Sequence, residues 1–398
     1  MRSASARSTE LGDLSLMDQS TGNEPATAEE PQRPSRRLPG WLRMNLPAGD
    51  RQIRFRQTQE TVTDGPLHTV CEEARCPNIH DCWARGTATF MIAGRECTRG
   101  CRFCSVETLR SPPPPDPNEP EHLAEAVARM GLQHVVITVV NRDDLPDGGA
   151  SHYRQCVLAV QRRTPDVSIE LLSSDLDGNF TALEQLLDGL PLAVFAHNVE
   201  CVERLDELVR DPRASFQQSL EVLAKSKCYR SDLYTKSSLM IGLGETNAEV
   251  SDAMRRLREV DVDLLTLGQY IAPGRPGSRF LEVDRYVPPE QFARWAEEAR
   301  KLGFLAVASA PMVRSSFQAG ALLAEAQAGQ RIAQRADEGR GSRSSSAMPD
   351  IHDQPDAHDQ VSVSVDVLVA SAAELHTSVG HRATGLQEAD AKNRRRDV

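Results

Sequence analysis

The sequence predicts an α/β fold, a partial TIM-type (βα)6 barrel with N-terminal and C-terminal extensions, and three observations carry that expectation. Short β-branched runs alternate with longer amphipathic stretches in six or more successive units. Polar and glycine residues collect directly after the short runs, on what would be one rim of a parallel barrel. Segments poor in packing residues flank this region at both ends.

Strands are predicted at residues 87–92, 134–139, 167–172, 192–195, 237–241, 264–267 and 304–308, each a short apolar run bounded by polar or turn residues. Helices are predicted between most of them, at 121–130, 153–163, 216–225, 248–260 and 289–302. Pro289 stands near the start of the last helix, where a missing N–H costs nothing. Four regions result: a disordered segment at 1–38, an N-terminal extension at 39–86, the barrel at 87–330, and a low-complexity, disordered tail at 331–398. Within the tail, residues 361–369 (VSVSVDVLV) alternate like a strand, but an isolated strand has no stability of its own.

The chain has 398 residues and a formal net charge of −11. That acid excess, with no basic stripe, argues against a general nucleic-acid binder. No stretch approaches 18 consecutive apolar residues, so no membrane span is expected. The opening MRSASARS is Arg/Ser-rich like a transit peptide, yet Glu10, Asp13 and Asp18 follow at once, and a cytoplasmic location is expected.

Six of the nine cysteines fall within residues 71–104 as two triads, Cys71, Cys76, Cys82 in CxxxxCxxxxxC and Cys97, Cys101, Cys104 in CxxxCxxC. Three thiolates on short tethers suit an iron–sulfur cluster or zinc, with the fourth position supplied from elsewhere. A cluster held by three cysteines keeps one iron available for a substrate or cofactor. A disulfide framework fits a small secreted chain, not one of this size without a signal peptide. Structural zinc remains the alternative, but neither triad holds the paired CxxC arms that complete a set of four. Cys156, Cys201 and Cys228 show no mutual spacing and are expected as small core residues.

The rim is chemically dense. The second predicted strand leads to Asn141, Arg142, Asp143 and Asp144 and then to Gly148 and Gly149; the fourth leads to His197, Asn198 and Glu200. After the fifth come Gly242, Gly244 and Glu245, after the sixth Gly268, Gln269 and Tyr270, and after the last Arg314, Ser315, Ser316 and Phe317. Any one of these is an ordinary polar loop; their gathering on the rim that also holds CxxxCxxC is the signal.

Cys97-Thr98-Arg99-Gly100-Cys101-Arg102-Phe103-Cys104, with an aromatic before its last cysteine, resembles the radical S-adenosylmethionine (SAM) superfamily. The wider match is more specific. Residues 67–74 (LHTVCEEA), 76–79 (CPNI), 86–92 (GTATFMI), 141–145 (NRDDL), 194–200 (VFAHNVE), 243–246 (LGET), 267–270 (LGQY) and 314–317 (RSSF) resemble the lipoyl synthase family in order and spacing, over residues 39 to about 325.

That resemblance implies two [4Fe–4S] clusters and SAM as cofactors. Cys97, Cys101 and Cys104 would hold the cluster that cleaves SAM to a 5′-deoxyadenosyl radical. Cys71, Cys76 and Cys82, with Ser316 as fourth ligand, would hold a second cluster consumed as sulfur donor. The implied reaction inserts sulfur at C6 and C8 of an octanoyl chain on a lysine of a lipoyl-carrier protein. The implied carriers are a 2-oxoacid dehydrogenase E2 or the glycine cleavage H protein, with a ferredoxin or flavodoxin as electron donor, and neither nucleic acid nor membrane is involved. An alkoxide is a harder partner for iron than a thiolate, which makes Ser316 a labile corner suited to giving up sulfide. By rim position and likeness, Asn141, Asp143, His197 and Glu245 and the loops of Gly148, Gly149, Gly242 and Gly244 are expected near SAM.

The chain departs from the family pattern at Phe317, where tyrosine is usual, at the longer loop of residues 272–282, and at His80 and Asp81, which replace a Gly-Glu pair. A tRNA methylthiotransferase would also join three auxiliary cysteines to CxxxCxxC, but with a separate N-terminal domain and a basic C-terminal one. Only 14 residues separate these triads.

Overall fold

Ten strands and eleven α-helices order the described residues, which are 38–43, 46–63 and 67–341 of a computed structural model. The strands are β1 (His68–Thr69), β2 (Thr89–Ile92), β3 (Glu96–Cys97), β4 (Glu107–Thr108), β5 (His134–Val139), β6 (Ser168–Leu172), β7 (Val194–Ala196), β8 (Tyr234–Ile241), β9 (Leu264–Gln269) and β10 (Ala306–Ser309). Eight form one sheet in the order β1-β2-β5-β6-β7-β8-β9-β10, parallel throughout except for β1 against β2. β3 and β4 pair in parallel and bracket the loop of the second triad. All seven predicted strands are present within a few residues, and the sheet's two edges, β1 and β10, give the open form of the barrel.

The N-terminal extension carries α1 (Asp50–Thr63), α2 (Val70–Glu73) and α3 (Ile79–Ala84). Around the barrel run α4 (Glu119–Met130), α5 (Ala150–Arg163), α6 (Phe180–Leu187), α7 (Asp206–Val209), α8 (Phe216–Tyr229), α9 (Asn247–Glu259) and α10 (Pro289–Lys301), followed by α11 (Ala319–Gly341). α9 starts on a capping box, in which the Thr246 side chain and Glu249 satisfy each other's backbone N–H groups. Helix α11 continues past residue 330, where the sequence places the start of its disordered tail. The strand expected at 361–369 and all but the last residue of the disordered segment expected at 1–38 lie outside the described residues.

Parallel register fixes what faces inward. Val136 pairs with Glu170, Glu170 with Val194, Ala196 with Lys236, and Ser238 with Thr266, so these residues share the barrel's interior face. Low in the barrel, Lys236 Nζ donates to Glu170 Oε1 at 2.7 Å, both side chains 1% exposed, with His134 on the far side of the carboxylate. Beneath, Leu322, Leu323 and Ala326 of α11 pack on Val194, Leu264 and Ala306, closing the N-terminal end of the strands with apolar contact. The opposite rim stays free for chemistry.

Candidate active site

Both cysteine triads open into one cavity of about 1240 Å³ that runs along the barrel interior, lined also by Thr89, Met91, Thr138, Asn141, Ser238, Gly268, Arg314 and Ser316. β2 connects them. Cys71 lies in α2, Cys76 in the turn that follows and Cys82 in α3, ahead of β2, while the loop leaving β2 carries Cys97, Cys101 and Cys104.

Ser316, the residue expected to complete the first triad, arrives from far along the chain. Asn78 Nδ2 donates to Met312 O at 2.6 Å, pinning the N-terminal extension to the segment after β10. There Thr89 Oγ1 donates to Ser316 Oγ at 2.8 Å, so Ser316 reaches the cavity wall as the sequence expects. Phe317, where a hydroxyl is usual, also lines the cavity.

The donor sets fit the clusters. All nine cysteines are free thiols. Burial pushes the Cys71 thiol up to about 11 and Cys82 to about 12, and Cys76 upward too. Cys101 rises to about 11 and Cys104 to about 12 for the same reason. Buried thiols of this kind stay protonated until a metal displaces the proton. Beside Cys71, the indole Nε1 of Trp83 has no hydrogen-bond partner among the described residues. Burial also lowers the pKa of Arg314, whose charge faces Cys76 with no carboxylate partner among the described residues. A half-buried cation and an orphaned donor beside three thiols suit an anionic cluster. On the second triad, the backbone N–H of Arg99 points at Cys97 Sγ (3.4 Å) and that of Asp211 at Cys101 Sγ (3.3 Å).

The rest of the rim is sorted by the structure. Asn141 lines the cavity as expected, and Asn198 and Glu200 join it. Burial raises the Glu200 pKa, and its backbone sits at φ 66°. Asp143 is spent on the protein itself: it accepts from Arg99 Nη2 at 2.8 Å, from Thr98 Oγ1 at 2.6 Å and from Arg213 at 3.1 Å. His197 is a correction to the expected SAM contact, since its Nδ1 meets Ser173 O at 2.9 Å and its Nε2 meets Ser219 Oγ at 3.0 Å, leaving no ring nitrogen for a ligand. Burial holds its pKa down, near 4.

Glu245 is likewise turned inward, accepting from the N–H groups of Gly242 and Leu243, both at 2.9 Å, and from Arg285. Gly242, Gly244, Gly148 and Gly149 do not line the cavity. Gly242 is required for another reason: at φ 100°, a Cβ there would lie 2.1 Å from Gln269 Nε2. Gly149, at φ 94°, is crowded by the Tyr153 ring in the same way. These residues shape the rim rather than face its contents.

Loop 272–282 clamps the second triad: Arg279 Nη2 donates to Cys104 O at 3.1 Å, and Leu281 N donates to Arg102 O at 3.1 Å. His80 lies in α3, its ring 5.2 Å from that of Phe55. Cys156 and Cys201 are buried as expected, whereas Cys228 is exposed.

Sequence reasoning passed over Arg99, the centre of this region. Its guanidinium, 2% exposed, bridges Asp143 and Asp175. Burial alone would lower its pKa, but the hydrogen bonds it donates to the two carboxylates raise it. Its place inside CxxxCxxC was the available signal.

Comparison with known proteins agrees with the geometry. Residues 91–257 match the radical SAM superfamily, and residues 9–76 match the N-terminal domain of lipoyl synthase of the radical SAM family. The chain is 50% identical over 294 residues to the chloroplastic lipoyl synthase of Arabidopsis thaliana, covering 73% of each chain. It is 48% identical over 312 residues to the mitochondrial lipoyl synthase of Bos taurus, covering 77% of this chain and 82% of that one. The lipoyl synthase of Marinobacter nauticus is 49% identical over 283 residues, 71% of this chain and 79% of its own. Among solved structures, the FeFe-hydrogenase maturase HydG from Carboxydothermus hydrogenoformans aligns with 65% of this chain and 57% of its own, at 13% identity and a TM-score of 0.42. Identity near one half over more than two thirds of each chain means that the chain belongs to the lipoyl synthase family of radical SAM enzymes.

Proposed function

We propose that the two triads divide the labour of one reaction within a single cavity. The chain is a sulfurtransferase that uses SAM and a [4Fe–4S] cluster to insert two sulfur atoms into a protein-bound octanoyl-lysine. The finer assignment is that Cys97, Cys101 and Cys104 hold the SAM-binding cluster, while Cys71, Cys76, Cys82 and Ser316 hold a second [4Fe–4S] cluster that is the sulfur source. Bound together, these groups supply hydrogen-atom abstraction from unactivated carbon and a sulfide to replace the hydrogen, chemistry that no side chain offers. One observation carries the division: both triads and Ser316 line the same cavity, with apolar Met91, Val136, Leu172 and Leu239 on its walls to receive an alkyl chain.

The chain's own residues bind and exclude. Thr98, Arg99 and Gly100 fix the second triad on Asp143, Asp175 and Asp211. Ser316 presents its oxygen under a hydrogen bond from Thr89. α11 shuts the lower end of the barrel against water.

The acyl-lysine arm would enter where exposed Arg54, Arg75, Arg85 and Arg129, drawn from separate elements, border the cavity. That basic border on an acid chain favours an acidic carrier domain. An E2 or H-protein carrier and a ferredoxin or flavodoxin donor complete the proposal. A cytoplasmic location is part of the same proposal; imaging the full chain with a C-terminal fluorescent tag tests it.

The deciding experiment is anaerobic. Iron analysis should give about eight irons per chain for two cubanes. Incubation with SAM, a reductant and an octanoyl-lysyl carrier should raise the carrier's mass by two sulfurs. SAM cleavage without that gain, or stoichiometric zinc in place of iron, would overturn the reading.

A further inference from the structure

Outside the cavity wall, at the seam of α4 and α5, lies a carboxylate whose bonds lead to the second triad. Glu119 is the first residue of α4 and 5% exposed. Its Oε2 accepts from Ala93 N at 2.7 Å, and its Oε1 from Gly94 N at 3.3 Å. Those N–H groups belong to the two residues that follow β2 and begin the loop to Cys97.

Both residues are left-handed, Ala93 at φ 69° and Gly94 at φ 96°. For glycine this conformation is free of steric cost, but alanine resists it. Successive N–H groups turned the same way form a concavity for an anion, and here the Glu119 carboxylate is that anion. On the other side of Ala93, Arg142 Nη1 donates to its carbonyl at 3.0 Å while two further bonds hold Arg142 to Asp144. Residue 93 is therefore gripped at both its N–H and its C=O, four residues before Cys97.

Glu119 is aimed in turn by His152 of α5, whose Nε2 lies 2.5 Å from Oε2, with Cys156 Sγ 3.7 Å from the same nitrogen. These three residues could also be read as metal ligands. The spacing opposes that: two ligands about 2.0–2.1 Å from a tetrahedral zinc stand about 3.3 Å apart, whereas Nε2 and Oε2 are already in hydrogen-bond contact.

We propose that Glu119, oriented by His152, is a positioning residue for the radical-generating centre. It holds Ala93 and Gly94 in the left-handed turn that sets the direction of the Cys97 loop. The proposal rests on the reading of Cys97, Cys101 and Cys104 as cluster ligands. It explains why a buried acid and a histidine sit behind the loop without touching the cavity. Replacing Glu119 with glutamine would turn one acceptor into a donor facing N–H groups. Replacing Ala93 with glycine would make the turn favourable without the carboxylate.

The test uses the full chain reconstituted with iron and sulfide. Wild type, Glu119→Gln, Ala93→Gly and the double variant are compared by iron content, melting temperature, the electron paramagnetic resonance spectrum of the reduced enzyme with and without SAM, and 5′-deoxyadenosine formation. Glu119→Gln should keep wild-type iron but lose most of the SAM-induced spectral change and at least about tenfold in 5′-deoxyadenosine rate. Adding Ala93→Gly should recover most of both. If Glu119→Gln matches wild type, or if Ala93→Gly fails to rescue it, the positioning role is wrong. Should Glu119→Gln not fold, His152→Gln, which leaves the carboxylate in place, is expected to give a weaker form of the same spectral loss; an unchanged spectrum overturns the proposal. A wild-type enzyme whose spectrum ignores SAM would overturn the ligand reading and this proposal together.

Discussion

Arg99 Nη1 donates to Asp175 Oδ2 at 2.6 Å, joining the loop after β2 to the loop after β6 through two side chains that are each 2% exposed. The bond spans 76 residues and crosses the rim between the second triad and the third βα unit. Arg99 also meets Asp143 through two guanidinium nitrogens, so one side chain sets the distance between three loops.

Arg99→Met would strand the buried Asp175 carboxylate without its cation, while Asp143 keeps Arg213, at a cost of about 3–5 kcal/mol. We expect a lower midpoint in urea and poor retention of the second triad's iron. Arg99→Lys keeps the charge but not the fork. It should hold near-normal iron with a reduced rate of SAM cleavage, read by chromatography of 5′-deoxyadenosine.

Thr89→Val removes the hydroxyl that donates to Ser316 Oγ. A net hydrogen bond is worth about 1 kcal/mol, so the serine corner should loosen by several fold while the other cluster is untouched. On timed exposure to a chelator, the variant should fall from about eight irons to about four faster than wild type, with 5′-deoxyadenosine formation intact. Ser316→Ala should show the same loss more strongly.

Charge reversal at Arg54 and Arg75 tests the proposed entrance. Rim charges act on encounter more than on chemistry. The double variant should raise KM for an intact carrier domain by about 3–10-fold, with kcat preserved. A short octanoyl-lysyl peptide should show no such change, and the salt dependence of KM should flatten.

His197 supplies a pH window. Burial lowers its pKa from 6.5 to about 4, so the folded ring stays neutral where the unfolded ring takes a proton. Its contribution is complete above pH 6.5 and is lost as pH falls from there toward 4. Over that span it amounts to about 3 kcal/mol. In urea melts at pH 7.5 and 5, His197→Gln should be less acid-sensitive than wild type.

Much of this was legible in the chain. Val, Ile and Leu runs such as 134–139 are strands in any parallel setting, and CxxxCxxC is a spacing that suits the proposed cluster. What the sequence hid depends on distant partners. His68–Thr69 is a strand only because β2 lies alongside it. α11 reads as polar and charged beyond residue 326, yet Leu322, Leu323 and Ala326 anchor it under the barrel. His197 and Glu245 have the residue type and rim position of ligands, but Ser173, Ser219 and two backbone N–H groups claim their polar atoms. Residue type reveals capacity, and only packing reveals whether that capacity is already used.

The bond from Asn78 to Met312 spans 234 residues. At ribosomal speeds of about 5–20 residues per second, the segment that completes the first triad emerges roughly 12–47 seconds after the cysteines. Through that interval Cys71, Cys76 and Cys82 wait without Ser316 or the helix that seals the barrel. The proposed sulfur-donor cluster can thus be completed only after residue 316 has emerged, and truncation anywhere before residue 312 should leave Cys71, Cys76 and Cys82 prey to oxidation.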